Sequence, residues 1–314
     1  MNKLVLAIFV VFFDGPTLHE EIIPQDNYAQ SRQDNKSLRG DYLGEVPPGR
    51  IPKIFAPNLL STNDLHSSLY FSPDGKEMYY TRLPSGGDLS GVFCRKQVDG
   101  KWVEVETIPN TENSLTPFLS HDGERLFLSK PTRLHVMKRT TAGWGEPIDL
   151  GDEINFQKRQ DGISEAISGN IYYTSMFGQN DGTYIAKYSG DEYLKPEKIK
   201  FGLADDPATG YPYIAPDESY LILSSRVAGG YGASDLYIMF KNADGTWKQA
   251  INMGKTINTK DCESFPSVTP DGKYLFFNSN SISEVNSIVP GHFYCNIYWV
   301  DAQIIEELRR LNED

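Results

Sequence analysis

Ser72-Pro73-Asp74-Gly75-Lys76, followed by the apolar and aromatic run Met78-Tyr79-Tyr80, recurs along the chain in recognisable variants. The others are Ser120-His121-Asp122-Gly123, Ala215-Pro216-Asp217-Glu218 and Thr269-Pro270-Asp271-Gly272, with a degenerate copy at Ser168-Gly169-Asn170. The glycine positions, with Glu218 in place of glycine in one copy, stand at 75, 123, 169, 218 and 272, so the steps are 48, 46, 49 and 54 residues. Pro presets the φ of a tight turn, Asp bonds back to the turn backbone, and Gly supplies φ > 0. Apolar runs flank each marker, for example Leu69-Tyr70-Phe71 before the first and Leu275-Phe276-Phe277 after the last. Each marker therefore reads as the turn of a β-hairpin.

A third strand follows each hairpin, as at Leu134-His135-Val136 and Leu236-Tyr237-Ile238. Then an aromatic recurs after a turn, at Trp102, Trp144, Tyr193 and Trp247, and is read as opening a fourth strand. Four strands per unit of about 48 residues is the signature of a propeller blade. Five units predict an all-β propeller of four-stranded blades, five in number. The alternative of six needs a blade hidden in residues 14–50, which show no strand alternation. The last unit has three strands before the chain turns helical. Pro52-Lys53-Ile54-Phe55-Ala56-Pro57 fits the missing fourth, so an N-terminal strand is expected to close the ring. Closure leaves no long sheet edge to pair with a second copy, and a monomer is expected.

The ends differ from the body. Met1-Asn2-Lys3 precedes ten apolar residues, Leu4 to Phe13, the pattern of an export signal. Ten residues span only about 15 Å as a helix, too short to cross a bilayer, so no stable membrane span is expected. No small-residue cleavage site follows, because Phe12-Phe13-Asp14-Gly15-Pro16 is a poor substitute. Residues 1–13 are thus read as signal-like, 14–50 as a polar tail or linker, and 51–314 as one propeller with a C-terminal helix. In that helix Ile304, Ile305, Leu308 and Leu311 share a face, and Glu306 and Arg310 stand at i,i+4.

Composition agrees. The 38 aromatic and 46 Gly or Pro residues among 314 suit a large all-β domain, and a mean hydropathy of −0.43 excludes a multi-span membrane protein. The net charge of −12 and the absence of a Lys/Arg run argue against nucleic acid as a partner.

The repeated Ser-Pro-Asp-Gly-Lys with its following aromatic strand resembles the TolB-like β-propellers, a WD-repeat-like family of exported bacterial proteins. The likeness covers roughly residues 42–308, and Tyr42-Leu43-Gly44, Pro47-Pro48-Gly49 and Ile297-Tyr298-Trp299-Val300-Asp301 also resemble a subgroup of single-propeller proteins with no assigned chemistry. It implies a periplasmic or extracellular location and the binding of a protein, peptide or glycan. It implies no single reaction.

Candidate chemistry falls on the loops between second and third strands and on the starts of the inner strands. Arg82, Lys130 and Arg226 follow the second strands, and the loop 227–234 holds Gly229-Gly230-Tyr231-Gly232. The longest loop, 281–295, carries His292. Asp64 and His66, Glu112, Asp161, Asp205 and Asp206, and Asp261 and Glu263 lead into the inner strands. Together they describe a ring of carboxylates with a few cations around a channel mouth, able to hold a cation, a sugar or a peptide terminus. The competing reading is that these charges pair between adjacent blades, as recurrence in every blade would predict. The ligand-binding candidates are His66, Arg82, Arg226, Tyr231, Asp261, Glu263 and His292. A hydrolase or lyase acting on a carbohydrate-like substrate is the alternative, with His66, Asp261 and Glu263 as acid and base and Arg226 as anion clamp. Metalloprotease, nucleophile-elbow and Cys-x-x-Cys motifs are absent from the sequence, and no metal or cofactor is expected. Asp74, Asp122, Asp217 and Asp271, one per blade, read as turn caps, and the recurring aromatics as packing between blades. Cys94, Cys262 and Cys295 allow at most one internal disulfide. Cys262 and Cys295 stand two strand spacings, about 10 Å, apart, so free thiols are expected.

Overall fold

The computed structural model describes residues 38–57, 59–61, 65–83, 90–105, 107–202, 209–280 and 295–312. They form five antiparallel sheets of four successive strands, each a blade. Blade I runs Leu65–Phe71, Glu77–Leu83, Gly91–Val98, Lys101–Val105; blade II runs Leu115–Leu119, Arg125–Lys130, Arg133–Thr140, Ile148–Asp149. Blade III is Arg159–Glu165, Ile171–Met176, Gly182–Ala186, Glu197–Lys198, and blade IV is Thr209–Ile214, Tyr220–Ser225, Asp235–Phe240, Ile251–Asn252. Blade V takes Cys262–Val268, Tyr274–Asn280 and Cys295–Asp301 from the end of the chain and Lys53–Ile54 from its beginning. Lys53 stands opposite Trp299 and Ile54 opposite Tyr298, which is the closure read from the sequence. Each inner strand packs on the next, and that of blade V packs on that of blade I, so the ring is complete.

The hairpin markers do what their chemistry suggests. Asp74 Oδ1 accepts from Ser72 Oγ (2.6 Å) and from the Lys76 amide (3.0 Å), and Ser72 Oγ accepts from the Glu77 amide (2.8 Å). The same bonds recur around Ser120 and Asp122 and around Thr269 and Asp271. In blade IV, Glu218 occupies the left-handed position, φ 59°, that glycine holds in the other four turns. Its carboxylate accepts from Ser168 and Asn170 of blade III and from Lys241, contacts that offset the strain of a side chain there.

A second regularity was not legible in the markers. The fourth strands of blades II to V are two residues long, which leaves third-strand amides without a sheet partner. In all five blades one such amide is accepted by a side chain of the segment that leads on to the next blade or, for Thr209, by the first residue of that blade's inner strand. The pairs are Val92 with Thr111 Oγ1 (3.1 Å), Leu134 with Asn155 Oδ1 (2.8 Å), Thr183 with Thr209 Oγ1 (3.2 Å), Leu236 with Asn258 Oδ1 (2.7 Å) and Ile297 with Ser61 Oγ (3.2 Å). Asn155 and Asn258 also donate to the carbonyls of Leu134 and Leu236, so each amide side chain acts as one residue of sheet.

Three sequence readings change. Only Trp102 lies on a fourth strand; Trp144 and Tyr193 sit on short extensions paired back to the third strand or its continuation, and the fourth strand follows a few residues later. Trp144 packs under the Arg139 guanidinium (4.6 Å) and edge-on to Tyr79 of blade I (6.1 Å), so packing between blades holds for it. The expected tail 14–50 is folded from Leu38 onward: the Leu38 carbonyl accepts from the Trp102 amide, Leu43 is buried, and Tyr42 meets Phe71, Tyr274 and Trp299 edge-on or tilted. The signal-like residues 1–13 and the tail up to residue 37 lie outside the described residues. The C-terminal helix, Gln303–Leu311, buries Ile305 against the blade IV and V core, but Leu311 is exposed, and Glu306 pairs with Arg309 rather than Arg310.

Candidate functional site

All five inner strands break at one level. Ser68, Thr116, Gly162, Tyr211 and Phe265 have φ of 56, 46, 52, 50 and 51°, and the sheet register shifts at each. These are β-bulges, which bend a strand and free backbone groups from the ladder. Proline follows three of them, at Pro117, Pro212 and Pro266, a residue tolerated within a strand only where no ladder amide is needed. Neighbouring blades take up the freed groups. Thr116 Oγ1 accepts from the Gly162 amide (3.2 Å) and Thr174 Oγ1 from that of Tyr211 (2.8 Å), while Ser267 Oγ donates to the Leu69 carbonyl (2.6 Å). Asn278 Nδ2 donates to the carbonyl of His66 (2.9 Å).

The occupant of the bulge then decides what the mouth presents. At Gly162 an ideal Cβ would stand 2.8 Å from Tyr211 Cα and 2.9 Å from its ring, so glycine is required there for Tyr211 to enter. The Tyr211 ring lies 4.0 Å from that of Phe265, tilted by 40°, and both side chains are half-buried. Beside them Arg159 Nη2 donates to Asp161 Oδ2 (2.6 Å), and Asp161 Oδ1 accepts from Thr116 (2.7 Å), Ser129 (2.8 Å) and the Gly162 amide (2.9 Å). Asp161 is thus spent on the seam between blades II and III. Arg159 is 13% exposed, yet its buried Nε has no hydrogen-bond partner. Arg226 follows Ser225 at the end of the second strand of blade IV, is exposed, and makes no ion pair among the described residues. Burial holds the Tyr211 phenol well above its ordinary pKa and Asp161 adds to this, while Arg159 and Arg226 pull it down. The phenol is therefore a permanent donor at neutral pH.

The residues picked from sequence are distributed around this sector. Arg226, Tyr231, Asp261 and Glu263 come together at the seam of blades IV and V. There the loop 227–234 lies on the segment 259–262: the Ala233 amide donates to the Asp261 carbonyl and the Glu263 amide to the Ser234 carbonyl, each at 2.8 Å. Asp235 fastens the loop by accepting from the amides of Tyr231 (2.7 Å) and Gly232 (2.9 Å). A Cβ at Gly232 would collide with the carbonyls of Thr259 and Asp261, so this glycine serves docking. The Tyr231 ring is 52% exposed. Glu263 is fully buried and accepts from the Thr259 amide (3.0 Å), Thr259 Oγ1 (2.7 Å) and Ser279 Oγ (2.8 Å); burial raises its pKa. It is placed as a brace rather than as a group open to a ligand.

His66 and Arg82 are cross-strand neighbours in blade I. The buried His66 ring sits 5.8 Å from that of Tyr80, and the Arg82 guanidinium 5.6 Å over Phe93. Lys130 donates to the Asn110 carbonyl and Glu112 is exposed. His292, Asp64, Asp205 and Asp206 lie outside the described residues. Cys94, Cys262 and Cys295 are free, the last two flanking Asn280 in the sheet of blade V. No three His, Cys, Asp or Glu side chains cluster as a metal site among the described residues.

Arg159, Tyr211 and Phe265 were missed as site residues. The one signal available was proline inside an apolar strand, at Tyr211-Pro212 and Phe265-Pro266, which marks the bulge that turns a side chain into the channel. A second concavity of about 710 Å3 lies at the opposite, hairpin-turn end, between the C-terminal helix and residues such as Ile167, Pro216 and Lys273. Its charged side chains are engaged: Asp217 accepts from the Ser219 amide, Asp301 from that of Gln303, and Arg309 pairs with Glu306. Unmet donors gather at the mouth instead.

No protein-family model matches the chain, and no curated protein matches it. Among solved structures it is similar to a putative TolB from Agrobacterium tumefaciens, with 16% identity, a TM-score of 0.45, and 69% of this chain and 71% of that one covered. It is also similar to TolB from Acinetobacter baumannii, with 13% identity, a TM-score of 0.48 and 76% of this chain covered; it spans 57% of that protein's length. A thermostable family-43 glycoside hydrolase aligns as well, with 15% identity, a TM-score of 0.46, and 80% of this chain and 90% of that one covered. Among the described residues no helix is long and apolar enough to cross a membrane. The propeller is read from the chain's own five blades, and the activity is left to the chemistry of its own mouth.

Proposed function

We propose that the chain is a binding module that takes a glycan, peptide or protein segment into the channel mouth at blades III to V. One observation carries this reading: among the described residues the exposed Arg226 makes no ion pair and the buried Arg159 Nε no hydrogen bond, in the sector of the half-exposed rings of Tyr211 and Phe265. Buried polar atoms in folded proteins nearly always have a partner, so an unmet donor at the mouth of a channel points to something that meets it. Binding is placed ahead of turnover because Glu263 is committed to structural bonds, which leaves the hydrolase or lyase reading with Asp261 alone of the two carboxylates named for it. A hydrolase or lyase needs an accessible carboxylate or imidazole as acid or base.

The test is a glycan and peptide array probed with the full chain and with Tyr211→Ala and Arg226→Ala. The reading expects hits that both substitutions remove. Hits that survive both place the site elsewhere, and release of a product from a bound glycan would replace binding by catalysis. The export reading of Met1–Phe13 is part of the same proposal. It expects the protein outside the inner membrane on fractionation, and recovery in the cytoplasm would remove it.

A further inference from the structure

We infer that residues 38–50 form a latch that governs where the ring opens. The latch holds both blades of the closing seam, and its release frees the closing strand Lys53–Ile54 before any other blade parts.

The ladder that closes the ring is short. Lys53 stands opposite Trp299 and Ile54 opposite Tyr298, and the Phe55 amide donates to the Ile297 carbonyl (2.8 Å). In blades II to IV a fourth strand of the same length follows its own third strand along the chain. In blade V the partners come from opposite ends of the sequence, so the loop entropy lost on pairing them is larger.

Residues 38–50 add what the ladder lacks. On blade I the Leu38 carbonyl accepts from the Trp102 amide (2.8 Å), and the Gly40 carbonyl accepts from Trp102 Nε1 (2.7 Å) and Gln97 Nε2 (3.0 Å). On blade V the Gly49 carbonyl accepts from the Asp301 amide (3.1 Å). On the C-terminal helix Arg50 donates to Gln303 Oε1 (3.0 Å) and pairs with Glu307. Between these anchors the Tyr42 ring stands edge-on to Phe71 of blade I (5.4 Å) and to Tyr274 of blade V (5.1 Å). Leu43 is buried in the same cluster. One turn of chain therefore ties together the two blades that meet at the closure.

That turn is also strained. Tyr42 and Leu43 have φ of 50 and 61°, a region where the Cβ of an L residue crowds the following carbonyl oxygen. A backbone of this kind persists only where surrounding contacts over-determine it, and here those contacts are the burial of Tyr42 and Leu43. Once the rings part, the strain favours letting go. The segment is accordingly docked on both blades or on neither, a unit of local opening rather than a fraying end.

Native-state hydrogen–deuterium exchange of the full chain at low denaturant tests this, with three reporters. The Trp102 amide reads the hold on blade I, the Asp301 amide the hold on blade V, and the Phe55 amide the closing strand. The three are expected to share one opening step and to exchange about tenfold or more faster than the second strands of blades II to IV. Tyr42→Ala should speed all three by about tenfold and leave blades II to IV unchanged. Arg50→Ala breaks an exposed pair, leaves the fold intact, and should speed the same three by about threefold. If Tyr42→Ala does not fold, the wild-type pattern and Arg50→Ala carry the test. Three unrelated opening steps would overturn the latch. So would reporters that open only with the whole molecule, because the segment would then be ordinary scaffold. Faster exchange at Trp102 and Asp301 with Phe55 unmoved would overturn its control of the closure.

Discussion

The hairpin-turn end and the channel-mouth end of this propeller are built from the same five strand pairs, yet they obey different rules. At the turn end all five markers keep the left-handed position and three repeat the same Ser/Thr–Asp bonds; where the glycine is replaced, Glu218 is compensated by Ser168, Asn170 and Lys241. At the mouth the bulge recurs in every blade but its occupant does not: Ser68, Thr116, Gly162, Tyr211 and Phe265. Repetition marks what every blade needs in order to stack. The side chains that break the repeat, at a position where the backbone keeps it, are those free to serve a ligand.

The comparison can be broken most severely at Gly162. Gly162→Leu places a side chain against Tyr211 at a φ of 52° and is expected to cost about 4 kcal/mol by denaturant unfolding, from overpacking and left-handed strain together. A loss below about 1 kcal/mol would mean that Tyr211 does not fill that space.

The turn end supplies the next largest effect, through the seam of blades II and III. Glu165 is buried, its carboxylate pairs with Arg125 at 2.6 Å, and burial pushes its pKa to about 7, with Arg125 opposing. A carboxyl whose folded pKa lies above its unfolded value stabilises the protein when protonated. That contribution is complete below about pH 4.5 and is lost as pH rises through about 7. Stability should therefore fall by about 2.5 kcal/mol from pH 5 to pH 8 on account of this group. Glu165→Gln should flatten the profile; an unchanged slope would assign it to other groups.

Asn258→Ala removes the partner of the buried Leu236 amide and carbonyl and is expected to cost about 2 kcal/mol. Ser61→Ala, which removes a single bond of 3.2 Å at the ring closure, should cost about 1 kcal/mol. Reversal of that order would mean that the closing blade depends on its side-chain bond more than the interior blades do. The smallest effect belongs to the mouth: Arg226→Ala should change stability by less than about 0.5 kcal/mol, because the side chain is exposed and makes no ion pair among the described residues. A larger loss would make Arg226 part of the scaffold.

The same contrast explains what the sequence revealed. Turn chemistry is local, so Pro-Asp-Gly at a step of about 48 residues announced the blades, and Lys53-Ile54 could be placed as the closing strand. The fourth strands were harder, because a two-residue strand carries no period; the aromatics that marked them stand on third-strand extensions in blades II and III. Gly229-Gly230-Tyr231-Gly232 looked like a binding loop, but the close approach that demands Gly232 involves carbonyls of the next blade. The mouth was least legible for the same reason. Tyr211 can enter the channel only because Gly162, in another blade and 49 positions earlier, leaves it room.

The central claim is that the mouth at blades III to V is where this propeller binds. Hydrogen–deuterium exchange of the full chain, with and without a saturating ligand taken from the array, addresses it directly. Protection is predicted along Arg159–Glu165, Thr209–Ile214 and Cys262–Val268, with the turn end unchanged. Protection confined to Gln303–Leu311 and the turns beside it would contradict the account and move the site to the opposite face.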